Sequence, residues 1–375
     1  MPPPVLIAAG GTGGHLFPAQ ALAAVLGERG VPVHLVTDAR VGGFTGAFPA
    51  REVHEIPAAT PRRPGLVPKA LAGLSLARGL VAALALVRRL RPAAVVGFGG
   101  YPTVPPVLAA ALLRVPTLIH EGNGVLGSAN RFLAPRVDAL ALGVAGAAGV
   151  EPGWRARVVV VGNPVRPAVR DAAGAPFPPL GPGAPFGLLV FGGSQGARVM
   201  ADVVPEAIAG LPDDLRRRLA LVQQARPEDG ARVADAYRDA FVTAEVQPFF
   251  ADLPARMARS HLVLARSGAS TVAELTVVGR PSILVPLPHA LDADQAVNAR
   301  ALAAAGAATV IPQAEFTPER LRGEIAAAAA DPDALRRRAE AARALGLPDA
   351  AERLADLVAE LAPGIERRLA RHPAA

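Results

Sequence analysis

The feature that most constrains this chain is a strand, glycine loop and helix pattern that occurs twice. Near the start, the apolar run from Val5 to Ala9 leads into Gly10-Gly11-Thr12-Gly13-Gly14 and then a helical pattern through Leu26. Near the middle, Gly187-Leu188-Leu189-Val190-Phe191 leads into Gly192-Gly193-Ser194-Gln195-Gly196 and another helical stretch. Gly10, Gly11, Thr12 and Gly14 match Gly192, Gly193, Ser194 and Gly196 at one constant offset. A glycine loop between strand and helix lets backbone N–H groups approach an anion, and the helix dipole favours the negative charge. Such a loop also serves simply to turn the chain, but two of them in equivalent places weaken that reading. Neither has the G-x-G-x-x-G spacing of dinucleotide folds, and Lys69 is the single lysine, which excludes a Walker A loop.

Between these openings, short apolar runs alternate with longer helical ones. The runs are Val33 to Val36, Ala94 to Gly97, Thr117 to His120 and Val158 to Val161 in the first half. In the second they are Leu219 to Gln223, Leu262 to Ala265 and Ser282 to Val285. The alternation predicts an α/β chain with parallel sheets and crossover helices in each half. At 375 residues the chain also exceeds what one core usually serves. The expectation is two doubly wound, Rossmann-like domains facing a cleft, one over 1–165 and one over 166–349. A C-terminal helix at about 350–375 is expected to pack back on the first. The turn Asn163-Pro164-Val165-Arg166 is a candidate hinge, and the Pro/Gly-rich stretch Pro176 to Pro185 marks a boundary. In open parallel sheets ligands sit beyond the carboxyl ends of the strands, where every motif below falls.

Composition excludes several classes. Hydrophobic residues at 51% and charged residues at 19% rule out a disordered chain. The absence of cysteine excludes disulfides, thiolate metal sites and a cysteine nucleophile. A net charge of +7 suits phosphates, nucleic acid or an anionic membrane surface, and equally a solvated arginine surface. No Lys or Arg precedes Arg29, so the N-terminus lacks the positive region of a secretory signal and reads as a first strand. The uncharged stretch Pro92 to Leu113 is long enough to span a bilayer, but Gly97, Gly99, Gly100, Pro102, Pro105 and Pro106 would break its helix.

His15 follows the first glycine loop at a predicted helix start, where it could take a proton from an attacking hydroxyl. A lone histidine is more often structural; here Thr12, Gly13 and Gly14 are its neighbours. His120-Glu121-Gly122-Asn123 follows a strand and offers a carboxylate and an amide to sugar hydroxyls. The run Arg266 to Leu275 follows a strand and opens a helix, with Thr271 and Glu274 at the spacing of a capping box. Alternatively, Glu274 accepts from a ribose diol while the helix start binds phosphate, and both readings can hold together. In the run Pro286 to Ala299, Asp294, Gln295 and Asn298 occupy adjoining helical positions. No metal-ligand constellation is visible in the linear spacing.

Taken together, GGTGGHLFPA at Gly10 to Ala19, GFGGYPTVP at Gly97 to Pro105, HEGN at His120 to Asn123 and GNPVR at Gly162 to Arg166 resemble the MurG-type N-acetylglucosaminyltransferases. GGSQGA at Gly192 to Ala197, RSGASTVAEL at Arg266 to Leu275 and the helix start at Asp294 extend the resemblance to the whole chain. It implies a GT-B fold, with the donor nucleotide held mainly by the second domain and the lipid acceptor by the first. Carried onto matching positions, it implies UDP-N-acetylglucosamine contacts at Arg166, Ser194, Gln195, Ala269, Ser270, Thr271, Val272, Ala273, Glu274, Asp294 and Gln295. Thr12, Gly13, Gly14, Tyr101 and Asn123 complete the site, Phe250 is a candidate for uracil, and His15 and Glu121 are unranked candidates for activating or orienting the acceptor hydroxyl.

The implied reaction is an inverting transfer of N-acetylglucosamine to the C4 hydroxyl of N-acetylmuramic acid in undecaprenyl-linked lipid I, giving lipid II for peptidoglycan synthesis. It implies no cofactor, no metal and no nucleic acid partner. It also implies peripheral attachment at the cytoplasmic face of the cell membrane, for which the mixed apolar and basic segment Arg62 to Arg91 is the candidate surface. The chain departs from the family at Gly122, where Gln is common, at Ala225 and Arg226, and at Asp294, where some members have Gln. A UDP-N-acetylglucosamine 2-epimerase, another GT-B lipid glycosyltransferase and a non-catalytic nucleotide-sugar-binding protein remain the competing readings.

Overall fold

The computed structural model describes all residues except 1, 12, 39–47, 59–65, 182, 194–195, 289–293, 363–364 and 366–375, and describes 66–72 by backbone alone. The chain forms two compact units, one of residues 1–167 with 349–375 and one of residues 168–348.

The first unit holds a seven-stranded sheet made of β1 (Val5–Ala8), β2 (Val33–Thr37), β3 (Glu52–Glu55), β4 (Ala94–Gly97), β5 (Thr117–Glu121), β6 (Ala139–Leu142) and β7 (Arg157–Val160). Their order is β3-β2-β1-β4-β5-β6-β7, and every pairing is parallel. Central strands of such a sheet are covered on both faces and so read as continuous apolar runs. Val5 and Ile7 of β1 join the core beneath helices Gly13–Glu28 and Ala350–Leu361. Leu6 and Ala8 join the opposite core, with Ala83, Leu86 and Val87 of helix Leu66–Leu90 and Val107 of helix Val104–Leu112. The last helix is tied to this unit by ion pairs from Arg29 to Asp356 and from Arg157 to Glu360.

The second unit repeats the plan with six parallel strands: β8 (Phe186–Phe191), β9 (Leu219–Gln224), β10 (Ala244–Gln247), β11 (Leu262–Ala265), β12 (Ser282–Leu284) and β13 (Ala308–Val310). Their order is β10-β9-β8-β11-β12-β13. In each unit the first strand therefore lies between the second and the fourth, and the direction of strand addition reverses beside it. That reversal is the topological switch point of a doubly wound sheet, where adjacent loops diverge and leave a crevice. The two glycine loops follow β1 and β8, the strands at the two switch points. This is the expected α/β fold class.

Arg280, fully buried, fastens the entry of the second unit to its interior. Its guanidinium donates to the carbonyls of Ala258, Val278, Gly279 and Pro176 and lies 5.6 Å from the Phe177 ring centroid. Burial pushes its pKa down to about 10, so it remains a cation at neutral pH. Replacing Arg280 by Leu would strand several buried carbonyls and is expected to cost about 3–5 kcal/mol. Thermal unfolding of Arg280→Leu should show a Tm lower by roughly 10 °C for a unit of this size; a change within 2–3 °C would show that those carbonyls find other partners.

Candidate functional site

In the first unit the loop after β1 enters helix Gly13–Glu28, which places half-buried His15 in the first turn. Thr12 lies outside the described residues, Gly13 is buried and Gly14 is exposed. β4 is the other neighbour of β1, and the loop that follows it meets the His15 ring. A Cβ on Gly99 would lie 3.2 Å from His15 Nε2, one on Gly100 3.4 Å from Nδ1, and one on Gly10 3.2 Å from Nδ1. The imidazole is thus closely walled by three glycine backbones, where an added Cβ would press on the ring. Gly99 and Gly100 also have φ of 88° and 77°, which glycine adopts without strain. The Thr103 hydroxyl donates to the Gly99 carbonyl at 2.6 Å and holds this turn, of which half-buried Tyr101 is part.

β5 ends in His120 and Glu121, both buried. His120 Nε2 donates to the Gly162 carbonyl at 3.0 Å, and burial pushes its pKa down, so the ring is a neutral packing element beside Phe98. Glu121 accepts four hydrogen bonds: from Asn123 N and Nδ2 on Oε1, and from Gly127 N and Asn130 Nδ2 on Oε2, at 2.9–3.0 Å. A carboxylate offers about four such positions, so Glu121 is fully occupied in organising the HEGN loop. Asn130 and Gly127 were not singled out from the sequence; Asn130, seven residues past the motif, reaches Glu121 only because helix Ser128–Leu133 folds back on β5.

Gly122 faces Asn163, whose Oδ1 would lie 3.1 Å from a Cβ at that position. Asn163 is buried, and neither of its amide atoms has a hydrogen-bond partner among the described residues. Three residues on, Arg166 lays its guanidinium 4.3 Å over the Phe17 ring, which brings the GNPVR turn to the helix that carries His15.

In the second unit, Ser194 and Gln195 lie outside the described residues. Gly192 N donates to Gln224 Oε1, and Gln224 Nε2 donates to the Pro248 carbonyl, so one side-chain amide ties the loops after β8 and β10. A Cβ on Gly192 would fall 2.2 Å from Ala197 N, which makes glycine obligatory there. Phe250 is 5% exposed with Arg256 stacked 4.4 Å over its ring, so one face of the aromatic is already covered.

Helix Ala269–Val278 follows β11, and its N-cap is Gly268, with no side-chain capping bond. The capping-box expectation for Thr271 and Glu274 is therefore corrected, since Thr271 sits within the first turn and not at the cap. The cause lies in the loop before it. The Ser267 hydroxyl donates to the Gln295 carbonyl at 2.8 Å, and Asn298 Nδ2 donates to the Ser267 carbonyl at 3.2 Å, which starts the helix early. Gly268 has no side chain to cap the amides of this helix start. Ala269, Ser270, Thr271, Val272 and Ala273 are half-buried, Glu274 is 5% exposed, and the buried Ser270 hydroxyl has no hydrogen-bond partner among the described residues. Asp294 and Gln295 open helix Asp294–Ala304; Asp294 Oδ1 accepts from Gln295 N and Gln295 Oε1 from Leu287 N. Arg266 is turned away from the helix start, donating to the carbonyls of Val285 and Pro286 and to Gln313.

Among the described residues, three metal-ligating side chains outside these loops come together, namely His34, Glu52 and His54. They stand on the strands β2 and β3 themselves.

The description "Glycosyltransferase family 28 N-terminal domain" matches residues 5–142, and "Glycosyltransferase family 28 C-terminal domain" matches 187–354. A protein of Methylobacterium sp. (strain 4-46) is 59% identical over 96% of this chain and 97% of its own length. One of Methylobacterium nodulans is 60% identical over the same shares. Both are named UDP-N-acetylglucosamine--N-acetylmuramyl-(pentapeptide) pyrophosphoryl-undecaprenol N-acetylglucosamine transferase. The crystal structure of Acinetobacter baumannii MurG superposes with a TM-score of 0.75 at 28% identity, covering 96% of this chain and all of that one. A Listeria monocytogenes UDP-N-acetylglucosamine 2-epimerase structure, 15% identical with a TM-score of 0.67 over 98% of each chain, shares the fold alone. The chain belongs to glycosyltransferase family 28 and, within it, to the MurG-type N-acetylglucosaminyltransferases.

Proposed function

We infer that this chain moves N-acetylglucosamine from UDP-N-acetylglucosamine to lipid I, forming lipid II for peptidoglycan synthesis. Identity near 60% over nearly the full length of relatives named for that transfer carries the assignment. The epimerase reading has only a shared fold behind it.

The chemistry follows from the contrast between the two candidate proton acceptors. Glu121 already accepts four hydrogen bonds, and taking a proton would break the loop that it organises. His15 presents a half-buried imidazole in a glycine-walled recess beside the β1 switch point. We assign His15 as general base and Glu121 as a positioning residue. The C4 hydroxyl of N-acetylmuramic acid attacks the anomeric carbon, its proton passes to His15, and the C1–O bond breaks with its electron pair leaving on UDP. Attack opposite the leaving group inverts the anomeric centre and gives a β-1,4 linkage.

The leaving diphosphate is assigned to the uncapped start of helix Ala269–Val278, where amides and dipole stabilise growing negative charge. Glu274 is assigned to the ribose diol, the Ser270 hydroxyl to phosphate, and Arg166, Asn123, Asp294 and Gln295 to the donor sugar and diphosphate. Thr12, Gly13, Gly14, Tyr101, Ser194, Gln195 and Phe250 stay in the proposed binding set on the resemblance.

The membrane surface is assigned to helix Leu66–Leu90. Leu74 and Val81, 51% and 68% exposed, share one face with exposed Arg78 and Arg88. An apolar stripe flanked by guanidinium groups suits an anionic leaflet at the cytoplasmic face. No helix among the described residues is long and apolar enough to cross a membrane.

Transfer of labelled N-acetylglucosamine to a short-chain lipid I analogue tests the roles. His15→Gln is expected to lower kcat by about 10²–10⁴ with little change in donor KM. Glu274→Gln should instead raise donor KM. A His15→Gln enzyme within threefold of native turnover would remove the histidine from the role of base. For the membrane face, Leu74→Glu with Val81→Glu should reduce co-sedimentation with phosphatidylglycerol vesicles while turnover of the soluble analogue stays native. Undiminished sedimentation would move the contact elsewhere.

A further inference from the structure

Asn163 follows β7 in the turn Gly162-Asn163-Pro164-Val165-Arg166. The turn is held on both sides of it. The Gly162 N–H donates to the Leu142 carbonyl at 3.2 Å, and the Gly162 carbonyl accepts from His120 Nε2 at 3.0 Å. On the other side Pro164 restricts the residue before it to extended backbone, and Val165 is buried. Asn163 itself is 7% exposed. Among the described residues it is the one buried side-chain amide with neither its donor nor its acceptor met.

Its neighbours in the HEGN loop do not supply the missing partners. A Cβ on Gly122 would lie 3.1 Å from Oδ1, 3.2 Å from Nδ2 and 3.3 Å from Cγ, so position 122 meets largely the face of the amide and both polar edges point elsewhere. The carboxylate of Glu121 is filled by Asn123, Gly127 and Asn130. A stranded donor and acceptor destabilise the fold that holds them, a cost that proteins keep where a ligand supplies the partners.

The chemistry of the amide selects the ligand. Oδ1 needs an O–H or N–H, and Nδ2 needs an oxygen. An ionised diphosphate offers oxygens alone and would leave Oδ1 unmet, whereas a pyranose with hydroxyl and acetamido groups offers both. Three residues on, the permanent charge of Arg166 suits the diphosphate. We propose that Asn163 binds the N-acetylated sugar of the acceptor, Nδ2 donating to one of its oxygens and Oδ1 accepting from one of its O–H or N–H groups. The inference rests on the transfer proposed above, in which the donor sugar is assigned Asn123, Asp294 and Gln295 while the acceptor hydroxyl meets His15.

The test is steady-state transfer by the full chain, native, Asn163→Leu and Gly122→Ala, with UDP-N-acetylglucosamine and a short-chain lipid I analogue varied in turn. UDP affinity by calorimetry and Tm are measured beside it. Leu keeps the volume of the side chain and removes both polar atoms; Ala at 122 leaves Asn163 in place and presses on its amide. Acceptor KM is expected to rise about tenfold or more in Asn163→Leu, the size of two neutral hydrogen bonds, and severalfold in Gly122→Ala. In both variants kcat should stay within about threefold of native and UDP affinity should not change. The Tm of Asn163→Leu should equal or exceed that of the native chain, because the apolar group strands no donor. Unchanged acceptor KM, a weaker affinity for UDP, or a Tm lower by more than about 4 °C in Asn163→Leu would each overturn the proposal, the last by showing that the amide is satisfied within the protein. A rise in donor KM alone would overturn it in favour of the donor's sugar. These outcomes leave the transfer itself standing, whereas a native chain that forms no disaccharide would remove the transfer and the proposal together.

Discussion

Everything in this structure that can do chemistry depends on the hydrogen bonding of β1 and β8 to a neighbour on both sides. Because β1 pairs with β2 on one edge and β4 on the other, the chain leaves successive strands in opposite directions. The loops after β1 and β4 then part above the sheet. His15 comes from one of them and the Gly99-Gly100 turn from the other, and they meet only because Ala8 and Gly97 lie in register. In the second unit β8 stands between β9 and β11, so Gly192 and the start of helix Ala269–Val278 rise from neighbouring strand ends. The sheet order thus decides which backbone amides and side chains can reach one ligand.

The fold class was legible because the strands flanking each switch point are buried on both faces and read as apolar runs between glycine punctuation. β1, β4, β5, β8 and β11 are of this kind. The strands that sequence reading passed over are β3, β6, β10 and β13, and each had a reason. β3 and β10 are sheet edges with sequences EVHE and AEVQ, half-exposed and charged. β6 reads ALAL, which lacks β-branched residues and is equally good helix. β13 has three residues. The metal-type cluster was hidden for the same reason, since two of its members lie on an unrecognised edge strand. For the site, the loops were legible from their positions after strands, whereas partnerships were not. Linear spacing cannot show that Glu121 collects donors from Gly127 and Asn130, or that Ser267 and Asn298 shift the helix start to Ala269.

The arginine excess illustrates how charge counting and burial diverge. A positive balance reads as attraction for anions, yet three arginines of the second unit point inward. Arg266 donates to the carbonyls of Val285 and Pro286, Arg280 to those of Ala258, Val278, Gly279 and Pro176, and Arg338 to that of Ser282. Burial lowers the pKa of all three without a carboxylate in bonding contact. Their work is to satisfy carbonyls at the ends of helices and strands and in the loops beside them, a task suited to a planar group with five donors. In the proposed site, anion recognition in that unit is assigned to backbone amides, which carry no net charge and are held in place once the helix has formed.

This division bears on the edge pair where His34 and His54 stand, their ring nitrogens 3.0 Å apart across β2 and β3. The switch-point strands are held by ladders on both edges and cores on both faces, so another bond there adds little. β3 has four residues, one neighbour and a half-exposed face, the combination from which local opening begins. The hydrogen bond between His34 and His54 joins β2 to β3 at that edge without touching the loops after β1, β4 and β5. Chemistry at the carboxyl ends of the central strands and reinforcement at the sheet edge are therefore independent properties, and one can change through substitution while the other is kept.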